Sequence, residues 1–248
     1  MLYNYHTHTC FCDGENTAEE MIQKAIELGF SELGFSGHSY IDFDKESCMS
    51  LENTELYKQE ITDLKEKYKD KINILLGIEY DYLSNVSCDG YDYIIGSVHY
   101  LLKNGEYIFV DYSRERQIDS VNQYYGGDYY AFIEDYYAAV TDVYNKTKCD
   151  IIGHFDLVTK YNADGSLFDV NNPRYIKAWK RAADAIVKTP AIVEINTGGI
   201  ARGYLKEPYP SKEIIDYFKA KGKKMIFSSD CHNKEFLLCG YEEVKKYL

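Results

Sequence analysis

Six histidines and three carboxylates mark out the chemistry available to this chain. The histidines fall in five short motifs: Tyr5-His6-Thr7-His8, Ser36-Gly37-His38, Ser97-Val98-His99, Gly153-His154 and Ser228-Ser229-Asp230-Cys231-His232. Each motif follows a run that reads as a short strand, and none lies in the helical stretches between them, where surface histidines usually collect. Imidazole is a common ligand of zinc, iron and manganese, and neither His6-x-His8 nor Asp230-x-His232 is explained by packing. Asp13 in the loop after the first pair, Glu79 at a strand end, and Asp230 complete the set. Nine candidate ligands exceed what one four- to six-coordinate ion uses, so two or three divalent metals are expected. Carboxylate plus imidazole without thiolate suits zinc, iron(II) or manganese(II). A carboxylate bridging metals about 3.5–4 Å apart suits in-line displacement at phosphorus by an activated water.

Such chemistry also needs cations for the remaining phosphate oxygens. Arg202, in Asn196-Thr197-Gly198-Gly199-Ile200-Ala201-Arg202-Gly203, follows a strand end and is expected to face the same site. Lys160, just past His154, and Lys206 are further candidates for binding substrate.

The elements that must position these groups alternate along the chain. Thr17-Ala18-Glu19-Glu20 fits a capping box opening a helix that runs through about Leu28 and stops at Gly29. Glu32 to Ser36 then reads as a strand delivering His38, Leu56 to Tyr68 as a helix, and Ile72 to Ile78 as a buried strand ending at Glu79. Tyr91 to Gly96 reads as the strand that hands over to His99. Beyond it the pattern loosens: Tyr107 to Val110 is a possible strand, and helical stretches at Arg114 to Tyr124 and Tyr129 to Asn145 resemble an insertion. Strand Asp150 to Ile152, helix Arg174 to Val187, strand Ala191 to Asn196, helix Lys212 to Ala220 and strand Lys224 to Ser228 follow, and Tyr241 to Leu248 is a short helical piece. Roughly seven β/α repeats with no linker predict an α/β fold, a single domain over 1–248 whose parallel sheet closes or nearly closes into a barrel. All strand C-terminal ends then converge on one mouth, where ligands distant in sequence can meet. An open doubly wound sheet is the alternative, but no glycine-rich fingerprint follows the first strand.

Composition narrows the function. The chain has 248 residues, 45% of them hydrophobic, and a formal net charge of −12 from 40 acidic and 28 basic residues. That field would repel a polyanion, and no Lys/Arg-rich tract counters it, so nucleic acid is a poor partner. No apolar run approaches the roughly 20 residues of a membrane span, and nothing resembles a secretory signal, so a soluble cytoplasmic protein is expected. Seven irregularly placed cysteines with no C-x-x-C pair read as reduced thiols, and strand alternation turns Cys231 away from its flanking ligands.

His6-Thr7-His8, Gly37-His38, Glu79, Ser97-Val98-His99, Gly153-His154 and Asp230-Cys231-His232 together resemble the polymerase and histidinol phosphatase (PHP) family. Its histidinol-phosphatase branch is resembled by Gly34-Phe35-Ser36-Gly37-His38-Ser39-Tyr40, by Gly153 to Lys160, by Glu194-Ile195-Asn196-Thr197-Gly198, and by Ala201-Arg202-Gly203-Tyr204 with Pro208-Tyr209-Pro210-Ser211. The resemblance implies a distorted (β/α)7 barrel with a trinuclear centre. His6, His8, Glu79 and Asp230 would hold one metal, Glu79 would bridge to a second on His99 and His154, and Asp13, His38 and His232 would hold the third. Many family members carry histidine where Asp13 stands, and the final helix here is short. The implied reaction is hydrolysis of L-histidinol phosphate in histidine biosynthesis, with Glu79, His99, Asp230 and Arg202 as its catalytic groups. A phosphoesterase for another small ester or for nucleic acid, and a non-catalytic metal-binding barrel, are the alternatives.

Overall fold

The computed structural model describes residues 2–248. In chain order the strands are β1 (Leu2–Asn4), β2 (Phe30–Phe35), β3 (Asn73–Asp81), β4 (Tyr93–Ser97), β5 (Tyr100–Lys103), β6 (Glu106–Phe109), β7 (Ile151–Ile152), β8 (Ile192–Asn196) and β9 (Met225–Ser228). The helices are α1 (Ala18–Glu27), α2 (Leu51–Tyr68), α3 (Arg114–Tyr125), α4 (Tyr129–Thr147), α5 (Pro173–Val187), α6 (Gly198–Ala201), α7 (Lys212–Ala220) and α8 (Tyr241–Val244).

Seven strands form one parallel sheet in the order β1-β2-β3-β4-β7-β8-β9. Its two outer strands approach each other: Thr7 bridges Cys231, the His8 N–H donates to the Cys231 carbonyl at 3.0 Å, and Asn4 Nδ2 donates to Ser229 Oγ at 2.6 Å. The sheet is therefore a nearly closed seven-stranded barrel, as expected. Local sequence sets the element ends. Thr17 and Glu20 cap α1 reciprocally, Ser50 and Asp128 accept first-turn amides of α2 and α4, and Asn172 precedes Pro173 at the start of α5. The Ser50 cap also explains why α2 begins at Leu51 and not at the expected Leu56. The loosely patterned region after His99 is an antiparallel hairpin of β5 and β6 joined by Asn104-Gly105, both at positive φ (55° and 86°).

The core lies in two belts outside the barrel. One packs α4 and α5 on β4, β7 and β8 around Phe132, Tyr136, Trp179 and Ile186, and the other packs α1 and α2 on β2 and β3 around Met21, Phe35, Tyr57 and Ile61. Inside the barrel, Tyr93 joins Ile95 and Ile151, and its hydroxyl donates to the carbonyls of Tyr5 (2.5 Å) and Phe35 (3.0 Å). Two glycines on neighbouring strands make room for the ring: a Cβ on Gly77 would lie 2.2 Å from Tyr93 Cζ, and one on Gly34 2.4 Å from its hydroxyl. No helix among the described residues is long and apolar enough to cross a membrane, and all seven cysteines are unpaired.

Because the Tyr93 ring is held at its tip, it has no room to retreat from a methyl group at position 77. Gly77→Ala should cost about 1–3 kcal/mol of overpacking strain, read as a lower urea midpoint of the metal-free protein. An unchanged midpoint would show that the barrel interior has slack.

Candidate metal centre

Each proposed ligand sits at or just beyond the C-terminal end of a barrel strand. His6 and His8 follow β1, Asp13 lies in the next loop, His38 follows β2, Glu79 is in β3, His99 follows β4, His154 follows β7, and Asp230 and His232 follow β9. The parallel sheet carries all nine to one mouth. Residues two apart in an extended segment share a face, which is why His6-x-His8 presents both side chains inward, whereas Asp230 and His232 are brought to the site by a turn in the chain just after β9. Asp230 adopts φ 50°, a left-handed conformation costing roughly 1 kcal/mol for a residue with a Cβ. Beneath it, a Cβ on Gly198 would lie 2.8 Å from Asp230 Oδ2, so the turn into α6 leaves just enough space for the carboxylate.

Glu79 is at the centre and 1% exposed. Its Oε2 lies 3.1 Å from His6 Nε2, 3.5 Å from His8 Nε2 and 3.0 Å from His38 Nδ1. Its Oε1 lies 2.9 Å from His154 Nε2 and 3.3 Å from His99 Nε2, and accepts from Ser97 Oγ at 2.6 Å. The two oxygens thus serve two sets of imidazoles. Asp230 Oδ1 closes the first set, 3.5 Å from His6 Nε2 and 3.3 Å from His8 Nε2. Asp13 Oδ1 gathers the outer set, 3.2 Å from His232 Nε2, 3.6 Å from His38 Nε2 and 3.7 Å from His8 Nδ1. His8 and His38 therefore each face two sets.

The donor chemistry fits divalent metals. Among the described residues, His6 Nε2, His8 Nε2 and Glu79 Oε2 are buried with no hydrogen-bond partner, and all three converge. Bases left unpaired in the interior are costly unless a cation completes them. Three clusters have ligand atoms close enough to share an ion: His8, Asp13, His38 and His232; His6, His8 and Glu79; and His38, Glu79 and His99.

Arg202, expected at the mouth, is there. Its guanidinium donates to Asp230 Oδ2 at 3.0 Å and lies 3.1 Å from His232 Nδ1, with a third of the side chain still exposed. Lys160 also lines the cleft and donates to the carbonyl and carboxylate of Asp111 at 2.9 and 3.1 Å. Lys206 does not reach the site. Gly203, at φ 74°, ends α6 and turns the chain back so that Tyr209 pairs with Asn196, and Lys206 is left on a separate cavity with Asp156 and Trp179.

Several groups at the site carry no histidine-like signature in the sequence. Asp81 accepts from the His99 N–H at 2.8 Å and lies 3.2 Å from His99 Nδ1. Glu194 lies 2.9 Å from His6 Nδ1. Asp44, Tyr100, Phe109, Asp111 and Tyr112 form the outer wall of the cleft. Period-2 alternation from Glu79 would have found Asp81, and Glu194 is conspicuous as the only charge in Ala191-Ile192-Val193-Glu194-Ile195.

Electrostatics within the metal-free site are split. Burial works against charge everywhere, yet Glu194, Glu79 and Asp230 raise the His6 pKa well above its ordinary 6.5, and Glu79 with Asp81 does the same for His99. His38 is raised by Glu79 and Asp13 despite its burial. His8 goes the other way, pushed down to about 3 by burial and by His232 and His38 beside it. Glu79 and Asp230 are held well below the usual carboxylate range against their burial, Glu79 by His6, His38 and His99, and Asp230 by Arg202 and His6.

The signs give a test. Imidazoles raised in the fold contribute stability that is complete below about pH 6.5 and is lost as pH climbs through their raised values, while the depressed carboxylates contribute above about pH 4 and fail only in acid. A metal must displace the imidazole protons, so its affinity grows with pH. The chelator-stripped protein should therefore unfold at lower urea as pH goes from about 6 to 9, and the metal-loaded protein should hold or gain. A stripped protein that gains stability over that range contradicts this electrostatic account.

Known proteins resemble the chain over most of its length. The PHP domain model matches residues 4–198. The histidinol-phosphatase of Bacillus subtilis is 26% identical over 259 residues, covering 96% of each chain. A candidate histidinol phosphatase from Listeria monocytogenes superposes with a TM-score of 0.85 at 23% identity, over 98% of this chain and 99% of that one. The histidinol phosphate phosphatase of Lactococcus lactis, solved with zinc, L-histidinol and phosphate, superposes with a TM-score of 0.69 at 22% identity, over 99% and 93%. The two structures share the fold, and the family model spans most of the chain. With its ligand motifs gathered at one barrel mouth, the chain belongs to the PHP domain family.

Proposed function

We propose that this protein is a cytoplasmic, metal-dependent histidinol-phosphatase, a one-domain barrel that hydrolyses L-histidinol phosphate to L-histidinol and phosphate. The observation that carries this reading is one cleft of about 240 Å³ whose walls combine six of the nine ligand residues with Arg202 and Lys160. That volume accommodates a small phosphate ester. The full-length similarity to the Bacillus subtilis enzyme supports the choice of substrate.

In this reading His6, His8, Glu79 and Asp230 hold one metal, Glu79, His99 and His154 a second, and Asp13, His38 and His232 a third, with zinc, manganese or iron as the ion. Bound metals would supply Lewis-acid charge to the phosphoryl oxygens and acidify water near neutral pH. Arg202 neutralises charge that develops on phosphate, and it is preset for this: Asp230 and His232 fix the guanidinium, so little reorganisation is needed during reaction. Lys160, held by Asp111, adds a second cation to the same wall. Asp81 takes His99 at both its backbone N–H and Nδ1, which leaves Nε2 to face Glu79. Asp111 is compensated by Lys160, but Asp44 leaves a carboxylate on the wall that matches an ammonium or imidazolium on the leaving group. The same acidity and a net charge of −12 disfavour nucleic acid, which leaves another small phosphate ester as the second reading.

Phosphate release by zinc- or manganese-reconstituted protein should be fastest with L-histidinol phosphate, compared beside nucleoside monophosphates and a short oligonucleotide. Arg202→Ala should lower kcat/KM about 10²- to 10³-fold, while Lys206→Ala should stay near wild type. Selective turnover of another ester would keep the metal site and overturn the substrate. No turnover by metal-loaded protein would favour the non-catalytic barrel.

A further inference from the structure

Glu194 is fully buried in β8, outside the cleft, and makes contacts that reach the end of the neighbouring strand β7 and, across the seam, the segment after β1. Its Oε2 lies 2.9 Å from His6 Nδ1, while its Oε1 accepts from the His154 backbone N–H at 2.6 Å and from Asn196 Nδ2 at 2.8 Å. Asn196 extends the network: its Nδ2 is 3.3 Å from Asp230 Oδ2, and its Oδ1 accepts from the Gly198 N–H at 2.8 Å. No ladder joins β1 to β8, which lies beyond β9 across the barrel seam, so this carboxylate ties His6 to a strand that its own does not pair with.

We infer that Glu194 is a positioning residue for the metal centre, one that fixes the ring of His6 and the backbone of His154 together and so sets the spacing between two metal positions. The inference rests on the metal-centre reading above. Its chemistry is a matter of donor count. Three N–H groups converge on two oxygens, which only an acceptor-only side chain can satisfy. Holding the proton on His6 Nδ1 leaves Nε2, which has no hydrogen-bond partner among the described residues, as the free base facing Glu79. Both Glu194 oxygens are committed, so it serves the centre through His6 and His154 and is not itself a ligand.

Glu194→Gln tests this with almost no change in shape. The amide offers a single acceptor oxygen, so its NH2 must face either the His6 ring or the His154 N–H. Glu194→Asp keeps two acceptors on a shorter arm. Zinc affinity by competition with a chromogenic chelator, the visible spectrum of the cobalt(II)-loaded protein, and the urea midpoint of the stripped protein are measured for both and for wild type. Glu194→Gln should bind zinc about 10- to 100-fold more weakly with an altered cobalt spectrum, and kcat should fall with KM nearly unchanged, Glu194→Asp being intermediate. Wild-type affinity and spectrum in both variants would overturn the inference, as would a lower urea midpoint with unchanged affinity, which marks a purely structural role. Should Glu194→Gln not fold, Glu194→Asp decides by the same readouts. Wild-type protein that binds no zinc would remove the metal-centre reading itself, and the inference with it.

Discussion

The structure depends on one carboxylate held almost out of water. An ionised group of this kind costs several kcal/mol to bury unless charges and hydrogen bonds replace its hydration. Glu79 has those replacements on Oε1, with two imidazoles and the Ser97 hydroxyl, while Oε2 faces three imidazoles without a hydrogen bond and is left for a cation to complete. No local stretch of chain could deliver that ring. It takes strand ends from most of the barrel, which only a parallel sheet turned back on itself brings together.

The scaffold beneath the ring divides its tasks. Apolar belts between sheet and helices supply the bulk of the stabilising burial, while the mouth end of the barrel is filled by buried polar groups such as Asn4, Asn196, Ser228 and Ser229. Asn4 shows how the near-closure is made: its side chain donates to Ser229 Oγ and accepts from the Ser229 and His6 N–H groups. The barrel is thus joined at its seam by side chains and a single bridge in place of a continuous ladder. The strained backbone of Asp230 lies on this seam, where neighbouring contacts over-determine its position.

Much of this was legible in the sequence because the signals were local. A strand run followed by a histidine can be read without knowing the fold, and five such motifs imply a common mouth. Asp13, which also reads as a turn residue before Gly14, needed the structure to show it 3.2 Å from His232. Asp81 and Glu194 carry local signals that place them on inward faces, but their roles are fixed only by partners on other strands, His99 and His6. Lys206 was misplaced because proximity along the chain to Arg202 says nothing once Gly203 reverses direction. In the hairpin after His99 the second strand is legible as Tyr107 to Val110 but its partner β5 is not, although Asn104-Gly105 is a strong turn signal.

If Glu79 organises two metal positions beside the set around Asp13, its replacement should empty both and spare the third. Elemental analysis of wild type and Glu79→Gln, each dialysed against zinc and then against buffer, tests it directly. Wild type should retain two or three zinc equivalents, and Glu79→Gln should lose those shared by Glu79 while binding at Asp13, His38 and His232 persists. A Glu79→Gln protein with the full wild-type complement would contradict this.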